Sequence, residues 1–147
     1  MGTLWIINAG ETSDGAEAIA RALTGHRLTA VYHADTPIAQ YIAERLAGQC
    51  AGEKNIYTLF IPGEGADYAA AWRELLSRHR DDEAAVVVPP AVSRRLIGLT
   101  LELPPTHYGA LRQDAGGINR LIVEAHRTVV AGTNDLCHFT ADAGSWR

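Results

Sequence analysis

Three ionisable side chains that follow apolar runs of the sequence could exchange protons with a bound ligand. Glu11 and Glu64 are carboxylates, and His33 is an imidazole, whose charge changes near neutral pH. A carboxyl group enclosed by apolar side chains has a raised pKa and can act as a general acid or base. Structural alternatives remain open: a turn-bound Glu11, an exposed loop carboxylate at Glu64 and a half-exposed packing histidine at His33. The pattern predicts these three residues as candidate catalytic groups.

Apolar runs and helical spacings alternate along the chain and predict the elements that would position these groups. The predicted strands are residues 4–7, 28–32, 56–61, 84–88, 118–123 and 128–130. The predicted helices are residues 15–23, 37–48, 67–80 and 90–99. Strands that alternate with helices indicate an α/β fold, a three-layer α/β/α sandwich with a mostly parallel central sheet. Ligands of such sheets lie at the carboxyl ends of the strands.

Two local patterns predict where helices begin. Asp14 with Glu17 three residues later resembles a capping box, in which the first side chain accepts a backbone hydrogen bond. Thr36 followed by Pro37 is typical of a helix N-cap and a first helical residue. Each helix would follow a predicted strand and a turn, which is where α/β proteins place their chemistry.

Composition limits the class of protein. The chain has 147 residues and a formal net charge of -4, so we expect one domain over residues 1–147 and no nucleic-acid binding, which needs a basic surface. The apolar runs are too short to span a membrane, and the first residues do not resemble a signal peptide, so we expect a cytoplasmic protein. Cys50 and Cys137 show no paired spacing, so we expect unbridged thiols. A single lysine, Lys54, and many alanines suggest a GC-rich bacterial genome.

Five segments resemble, in order, the motifs of the histidine phosphatase superfamily, the phosphoglycerate-mutase-like fold. Residues 8–12, Asn-Ala-Gly-Glu-Thr, are similar to the family's Arg-His-Gly-Glu-Thr, and residues 33–44 are similar to its Ser-Ser-Pro-Leu-x-Arg-Ala-x-Gln-Thr-Ala-Glu. Residues 62–65, 87–95 and 133–139 are similar to its Pro-Gly-Gly-Glu-Ser, Val-Val-Ser-His-Gly-Gly-x-x-Arg and Leu-Asn-Asp-x-x-His-Leu motifs. The resemblance covers nearly the whole chain and implies the phosphoglycerate-mutase-like fold.

The resemblance also implies what the site would lack. In the family the first-motif histidine becomes phosphorylated, and two arginines and a second histidine hold the phosphoryl group. The corresponding positions here are Ala9, Asn8, Ile38 and Pro90. Alanine, isoleucine and proline side chains cannot attack, titrate or donate a hydrogen bond. The resemblance therefore predicts a degenerate member without a phosphohistidine and without tight phosphate binding.

These substitutions lead to three functional hypotheses. The first is a non-phosphatase enzyme whose apolar pocket performs acid–base chemistry of the isomerase, lyase or cyclase type on an uncharged small molecule. The second is a catalytically inactive pseudophosphatase that binds a ligand or a protein. The third is a residual phosphatase with His33 as a substitute nucleophile. The sequence favours the first hypothesis.

The predicted cleft would hold a small molecule at the strand ends. We expect no cofactor and no metal, because the histidines lack ligand spacing, and a homodimer is left open. The predicted substrate-binding residues are Asn8, Ala9, Thr12, Asp35, Ile38, Pro90 and Arg95.

Overall fold

The described part of the chain, residues 1–49, 55–59 and 66–140 of a computed structural model, forms a six-stranded sheet with helices on both faces. The strands are β1 (Gly2–Asn8), β2 (Leu28–His33), β3 (Asn55–Thr58), β4 (Glu83–Val88), β5 (Ile118–Val123) and β6 (Thr128–Asp135). The helices are α1 (Ala16–Ala22), α2 (Pro37–Gln49), α3 (Ala66–Arg78), α4 (Pro90–Thr100) and α5 (Cys137–Thr140), and a 3₁₀ helix covers Pro105–Ala110.

The strand order is β3-β2-β4-β1-β5-β6. The four strands β3, β2, β4 and β1 are parallel to one another, whereas β5 is antiparallel to β1 and β6 is antiparallel to β5. The predicted mostly parallel sheet is therefore confirmed. The parallel strands all end at one edge, which we call the carboxyl edge, and it is there that α2 and α4 begin.

Each face of the sheet is covered by its own apolar core. On one face, Trp72 of α3 and Leu96 of α4 pack against strand residues such as Val86. On the other face, Ile19 of α1 and Ile42 of α2 pack against their own set of strand residues. Alternate residues of a strand point to opposite faces, so the apolar runs of β1 and β4 serve both cores. The three-layer sandwich is confirmed.

Three local predictions differ from the structure, and the first is the strand predicted at 128–130, which is the longer β6. The capping box at Asp14 is absent, because Gly15 is the N-cap of α1, with a φ of 85° and no side-chain cap hydrogen bond. The strand predicted at 56–61 is the shorter β3, which ends at Thr58 and has four exposed residues; residues 60 and 61 lie outside the described part. The predicted cap at Thr36 is confirmed, since its Oγ1 accepts a hydrogen bond from the Ala39 N–H at 3.2 Å.

No helix in the described residues has the length and hydrophobicity that a membrane crossing requires. Cys137 is exposed, and Cys50 lies outside the described residues, so the unbridged thiols stay a prediction.

Candidate functional site

The carboxyl edge is held together by backbone hydrogen bonds that continue beyond the strands. The Ala9 N–H donates to the Val88 carbonyl oxygen at 2.8 Å, and the Ala34 N–H donates to the Val87 carbonyl oxygen at 2.8 Å. These bonds fix the first residues after β1 and β2 against the end of β4. The loops that follow therefore leave the sheet from defined positions.

His33, the last residue of β2, is the imidazole that the fold brings to this edge. Its side chain is 6% exposed, and its Nδ1 lies 2.9 Å from the Ala34 carbonyl oxygen. A carbonyl oxygen can only accept, so Nδ1 carries the proton of the neutral ring and Nε2 carries the lone pair. Nε2 has no hydrogen-bond partner among the described residues. The ring is thus held in the tautomer that a nucleophile or base needs.

Two helices begin beside His33. α2 starts at Pro37 and α4 starts at Pro90, each just past one of the adjacent strands β2 and β4. A helix amino terminus carries roughly half a positive charge and exposes backbone N–H groups, so both helix ends favour an anion at this edge. Because Pro90 has no N–H, it adds shape but no donor to the site.

The other predicted residues on this side are apolar or lie on α4. Ala9 is buried in the core beneath α1 and α2, and the half-buried Ile38 packs against that core. The Arg95 guanidinium lies 3.7 Å from the centroid of the Tyr68 ring, a cation–π contact. Burial raises the pKa of the Tyr68 hydroxyl and the nearby Arg95 lowers it, with burial the larger effect. Asp35 is exposed in the loop between β2 and α2.

The end of β1 is surrounded by a different arrangement, which we call the amide network: the side chains of Asn8, Gln113, Asn119 and Asn134. Asn8 Nδ2 donates to Gln113 Oε1 at 2.8 Å and to the Asp114 carbonyl oxygen at 2.9 Å. Gln113 and Asn119 exchange two amide hydrogen bonds of 2.9 Å each. Asn8, Gln113 and Asn119 are buried, so these uncharged bonds satisfy polar groups that would be costly to bury alone.

Asn119 and Asn134 connect this network to β1, to β6 and to Asp114, which precedes β5. Asn119 Nδ2 donates to the Ile6 carbonyl oxygen at 3.0 Å, and Asn119 Oδ1 accepts from the Asn134 N–H at 2.8 Å. The Asn134 side chain donates to the Asp114 carboxylate at 2.8 Å. That hydrogen bond lowers the pKa of Asp114 below its usual value, and a hydrogen bond from Arg112 adds a smaller effect in the same direction. Asp114 is therefore a carboxylate that accepts a hydrogen bond from the amide network.

Two buried polar atoms of this region have no hydrogen-bond partner among the described residues: Asn8 Oδ1 and Ser93 Oγ. Ser93 lies in the first turn of α4, and Asn8 ends β1. Such atoms are rare in folded proteins, and in a site they mark positions where a ligand can add a partner.

Beside the amide network lies a groove of about 390 Å³ between the β1–α1 loop and the residues before β5. Glu11, Thr12 and Asp14 line it, together with Phe139 of α5. Glu11 and Thr12 are exposed, so the predicted enclosure of Glu11 by apolar side chains is absent. This expectation failed because residues 11–14 form an exposed loop along the groove.

His138 is a site residue that the sequence analysis missed. Its Nε2 donates to the Gly116 carbonyl oxygen at 2.8 Å, next to the groove. Burial lowers the pKa of His138, although the Gly116 carbonyl and Asp135 oppose the effect. The similarity of residues 133–139 to a family motif pointed to this segment but gave His138 no role.

The structure therefore divides the predicted site residues into two groups. His33, Ala9, Ile38 and Pro90 surround the ends of β2 and β4, whereas Asn8, Glu11 and Thr12 lie at the groove beside β1. Glu64 lies outside the described residues, and its role stays a prediction, as do the roles of Glu11 and Arg95. No three histidine, cysteine, aspartate or glutamate side chains of the described residues are grouped as a metal site would require.

Comparisons with known proteins bear on the fold. The sequence matches no protein-family model. No curated protein matches it. Solved structures match it closely in shape: Bacillus stearothermophilus YhfR has a TM-score of 0.76 at 16% identity, over 92% of this chain and 98% of that one. Phosphoglycerate mutase from Plasmodium falciparum has a TM-score of 0.61 at 14% identity, over 88% of each chain.

Two further matches are structures of phosphoserine phosphatase from Entamoeba histolytica. The enzyme in complex with 3-phosphoglyceric acid has a TM-score of 0.74 at 19% identity, over 94% of this chain and 99% of that one. A histidine-to-alanine mutant in complex with phosphoserine has a TM-score of 0.72 at 18% identity, with the same coverage. At these identities the likeness shows the phosphoglycerate-mutase-like fold, so the resemblance to the histidine phosphatase superfamily is confirmed for the fold.

These findings correct the functional prediction made from the sequence. The prediction was a non-phosphatase enzyme of the isomerase, lyase or cyclase type, with an inactive binding module as its alternative. The chain instead shares its fold, over nearly its full length, with phosphatases. Among the described residues, Glu11 and Asp35 are exposed and not enclosed by apolar side chains as that prediction required. The prediction is wrong.

Proposed function

We propose that the chain hydrolyses small phosphate monoesters at its carboxyl edge, with His33 as the nucleophile. The observation that carries this proposal is the hydrogen bond from His33 Nδ1 to the Ala34 carbonyl oxygen, which leaves the lone pair on Nε2. A histidine can form a covalent intermediate that divides a difficult hydrolysis into two easier steps. The ligand would be a small molecule bound between the amino ends of α2 and α4.

The reaction would proceed in two displacements. His33 Nε2 attacks the phosphorus atom as the bond from phosphorus to the alcohol oxygen breaks. That oxygen takes a proton from a water molecule, so the alcohol leaves and the water becomes hydroxide. The hydroxide then attacks the phosphoryl group on His33, which releases inorganic phosphate and restores the neutral imidazole. The Nδ1–H bond to Ala34 would hold the ring in one orientation through both steps.

Positive charge for the transferred phosphoryl group would come from the fold. The amino ends of α2 and α4 each supply roughly half a positive charge and backbone donors. Arg95 of α4 adds a guanidinium that forms no hydrogen bond with the described residues. Because Ala9, Ile38 and Pro90 supply no cation, we expect turnover far below the common kcat of about 10 s⁻¹.

The matched structures support the choice of ligand. The phosphoserine phosphatase of this fold holds 3-phosphoglyceric acid, and its histidine-to-alanine mutant holds phosphoserine. An alanine in place of a histidine in this fold is therefore compatible with a bound phosphate monoester. This supports a phosphorylated small molecule as the ligand of a chain that carries Ala9.

The test is a hydrolysis assay with p-nitrophenyl phosphate and phosphoserine, combined with intact-mass analysis of rapidly quenched samples. We expect slow phosphate release and a transient mass increase of one phosphoryl group. His33→Ala should abolish both signals, and His107→Ala, which changes an exposed histidine of the 3₁₀ helix, should preserve both.

Two results would contradict the proposal. Phosphate release that does not exceed a heat-inactivated sample would exclude the activity. Release that survives in His33→Ala but disappears in His138→Ala would assign the reactive imidazole to the groove and not to β2.

A further inference from the structure

The groove beside β1 has one aromatic wall whose position is fixed by two glycines. Phe139 lies against Gly15 and Gly116, and an added Cβ at either glycine would overlap the Phe139 ring. Both glycines have positive φ angles, 85° at Gly15 and 81° at Gly116, a conformation that other residues rarely adopt. The residue Phe139 is nevertheless 38% exposed and lines the groove, where a ligand can contact it.

The ionisable groups of the groove have one sign. Glu11 and Asp14 are carboxylates, and none of the described residues that line the groove is a lysine, arginine or histidine. Both carboxylates are exposed at the rim, where they can contact a ligand without first leaving an ion pair of the protein.

Asn8 also lines the groove, and its buried Oδ1 has no hydrogen-bond partner in the described part of the chain. Asn8 is fully buried, and its two amide contacts, Gln113 Oε1 and the Asp114 carbonyl oxygen, are both acceptors. The nitrogen of Asn8 must therefore face them, and Oδ1 must be the atom that has no partner among the described residues. A hydrogen-bond donor from a ligand would satisfy Oδ1.

We propose that this groove binds a small organic ammonium ion. Its N–H groups would donate to the carboxylates of Glu11 and Asp14 and to Asn8 Oδ1, and its carbon atoms would lie against Phe139. An ammonium close to an aromatic face also gains a cation–π interaction. Binding of an amine needs no phosphoryl group, so this proposal is independent of the hydrolysis proposed above.

The first experiment is an amide NMR titration of the whole chain with ethanolamine at constant ionic strength, compared with ethylene glycol, an uncharged molecule of similar size. We expect saturable shifts of the Gly10, Glu11, Gly15 and Gly116 amides with ethanolamine and none with ethylene glycol. Because the attraction is between charges, the apparent Kd should rise with added salt. Equal shifts with both molecules, or no saturable shift with either, would overturn the proposal.

Matched variants locate the binding. Glu11→Gln and Asp14→Asn should each raise the Kd about threefold, the scale of an exposed ion pair, and Phe139→Leu should raise it by a similar factor. Glu102→Gln, which removes an exposed carboxylate outside the groove, should leave the Kd unchanged. A second titration uses magnesium chloride. If magnesium shifts the same amides and displaces ethanolamine, the groove is a metal site and the proposal fails.

Discussion

The two sides of the carboxyl edge are built in different ways. Around the ends of β2 and β4, apolar side chains such as Ile38 fill the space, and one imidazole, His33, is left among them. Around the end of β1, uncharged amide side chains fill the space with hydrogen bonds to one another. The first side depends on shape and tolerates a change of similar volume. The second side depends on the hydrogen bonds between its amides and does not tolerate their loss, although one acceptor, Asn8 Oδ1, has no partner among the described residues.

The largest expected effect is on the polar side. Asn119→Ala removes four hydrogen bonds and leaves Gln113, the Ile6 carbonyl and the Asn134 N–H with unpaired groups. We expect a loss of about 4 kcal/mol in the free energy of unfolding, measured by urea denaturation. Ile38→Leu on the apolar side conserves volume and should cost less than about 1.5 kcal/mol. A loss below about 1 kcal/mol for Asn119→Ala would show that water replaces the network and would remove the contrast.

Next in size is the effect of the groove wall. Gly116→Ala places a methyl group against Phe139 at a positive φ, and we expect a loss of about 2 kcal/mol in thermal or urea unfolding. Gly25→Ala is the matched control, because Gly25 also has a positive φ of 92° but open space around it, so it should lose only about 1 kcal/mol. Equal losses for the two variants would mean that the Phe139 ring simply moves away.

A smaller change of opposite sign is expected at the start of α4. Ser93→Ala removes a buried hydroxyl that has no partner among the described residues, so stability should rise by up to about 1 kcal/mol. The measurement is the urea midpoint of the variant against the parent chain. A loss of stability larger than about 1 kcal/mol would reveal a hydrogen bond of Ser93 that the structure does not show. The side at β2 and β4 would then also depend on hydrogen bonds, as the side at β1 does.

The smallest effect is a pH dependence that belongs to the polar side. Because burial lowers the pKa of His138 in the folded chain, the unfolded chain binds the proton more readily. This contribution to stability is complete above the usual histidine pKa of about 6.5 and falls as the pH drops through that value towards the folded pKa. We expect His138→Gln to flatten the stability profile in this range, and an unchanged profile would assign the slope to another histidine.

The sequence predicted the apolar side better than the polar side. Strands, helices and the parallel order followed from apolar runs and their spacing, because burial of such runs is what forms the two cores. Ile38 and Ile42 were placed correctly on a helix for the same reason. The cap at Thr36 also followed, since it depends on residues that are neighbours in sequence.

The amide network could not be predicted in the same way. Asn8 and Gln113 are 105 residues apart, and asparagine or glutamine in a loop has no periodic pattern that points to a partner. The failed expectation at Asp14 has a related cause, because Phe139, far away in the sequence, packs against Gly15 and so occupies the place where α1 begins. Pairing between distant segments decides both features, and one sequence without its fold does not reveal it.

The central position of β1 has a consequence for folding kinetics. The Trp5 side chain of β1 donates a hydrogen bond to the Glu83 carboxylate, 78 residues away in the sequence. The Ile6 carbonyl oxygen accepts a hydrogen bond from the Asn119 side chain, 113 residues away. Strand β1 therefore cannot gain its two neighbours until long stretches of chain have closed into loops, which slows folding. During synthesis the apolar β1 would remain unpaired until β4 and β5 have been made. In this interval the chain would be most prone to aggregation and most dependent on chaperones.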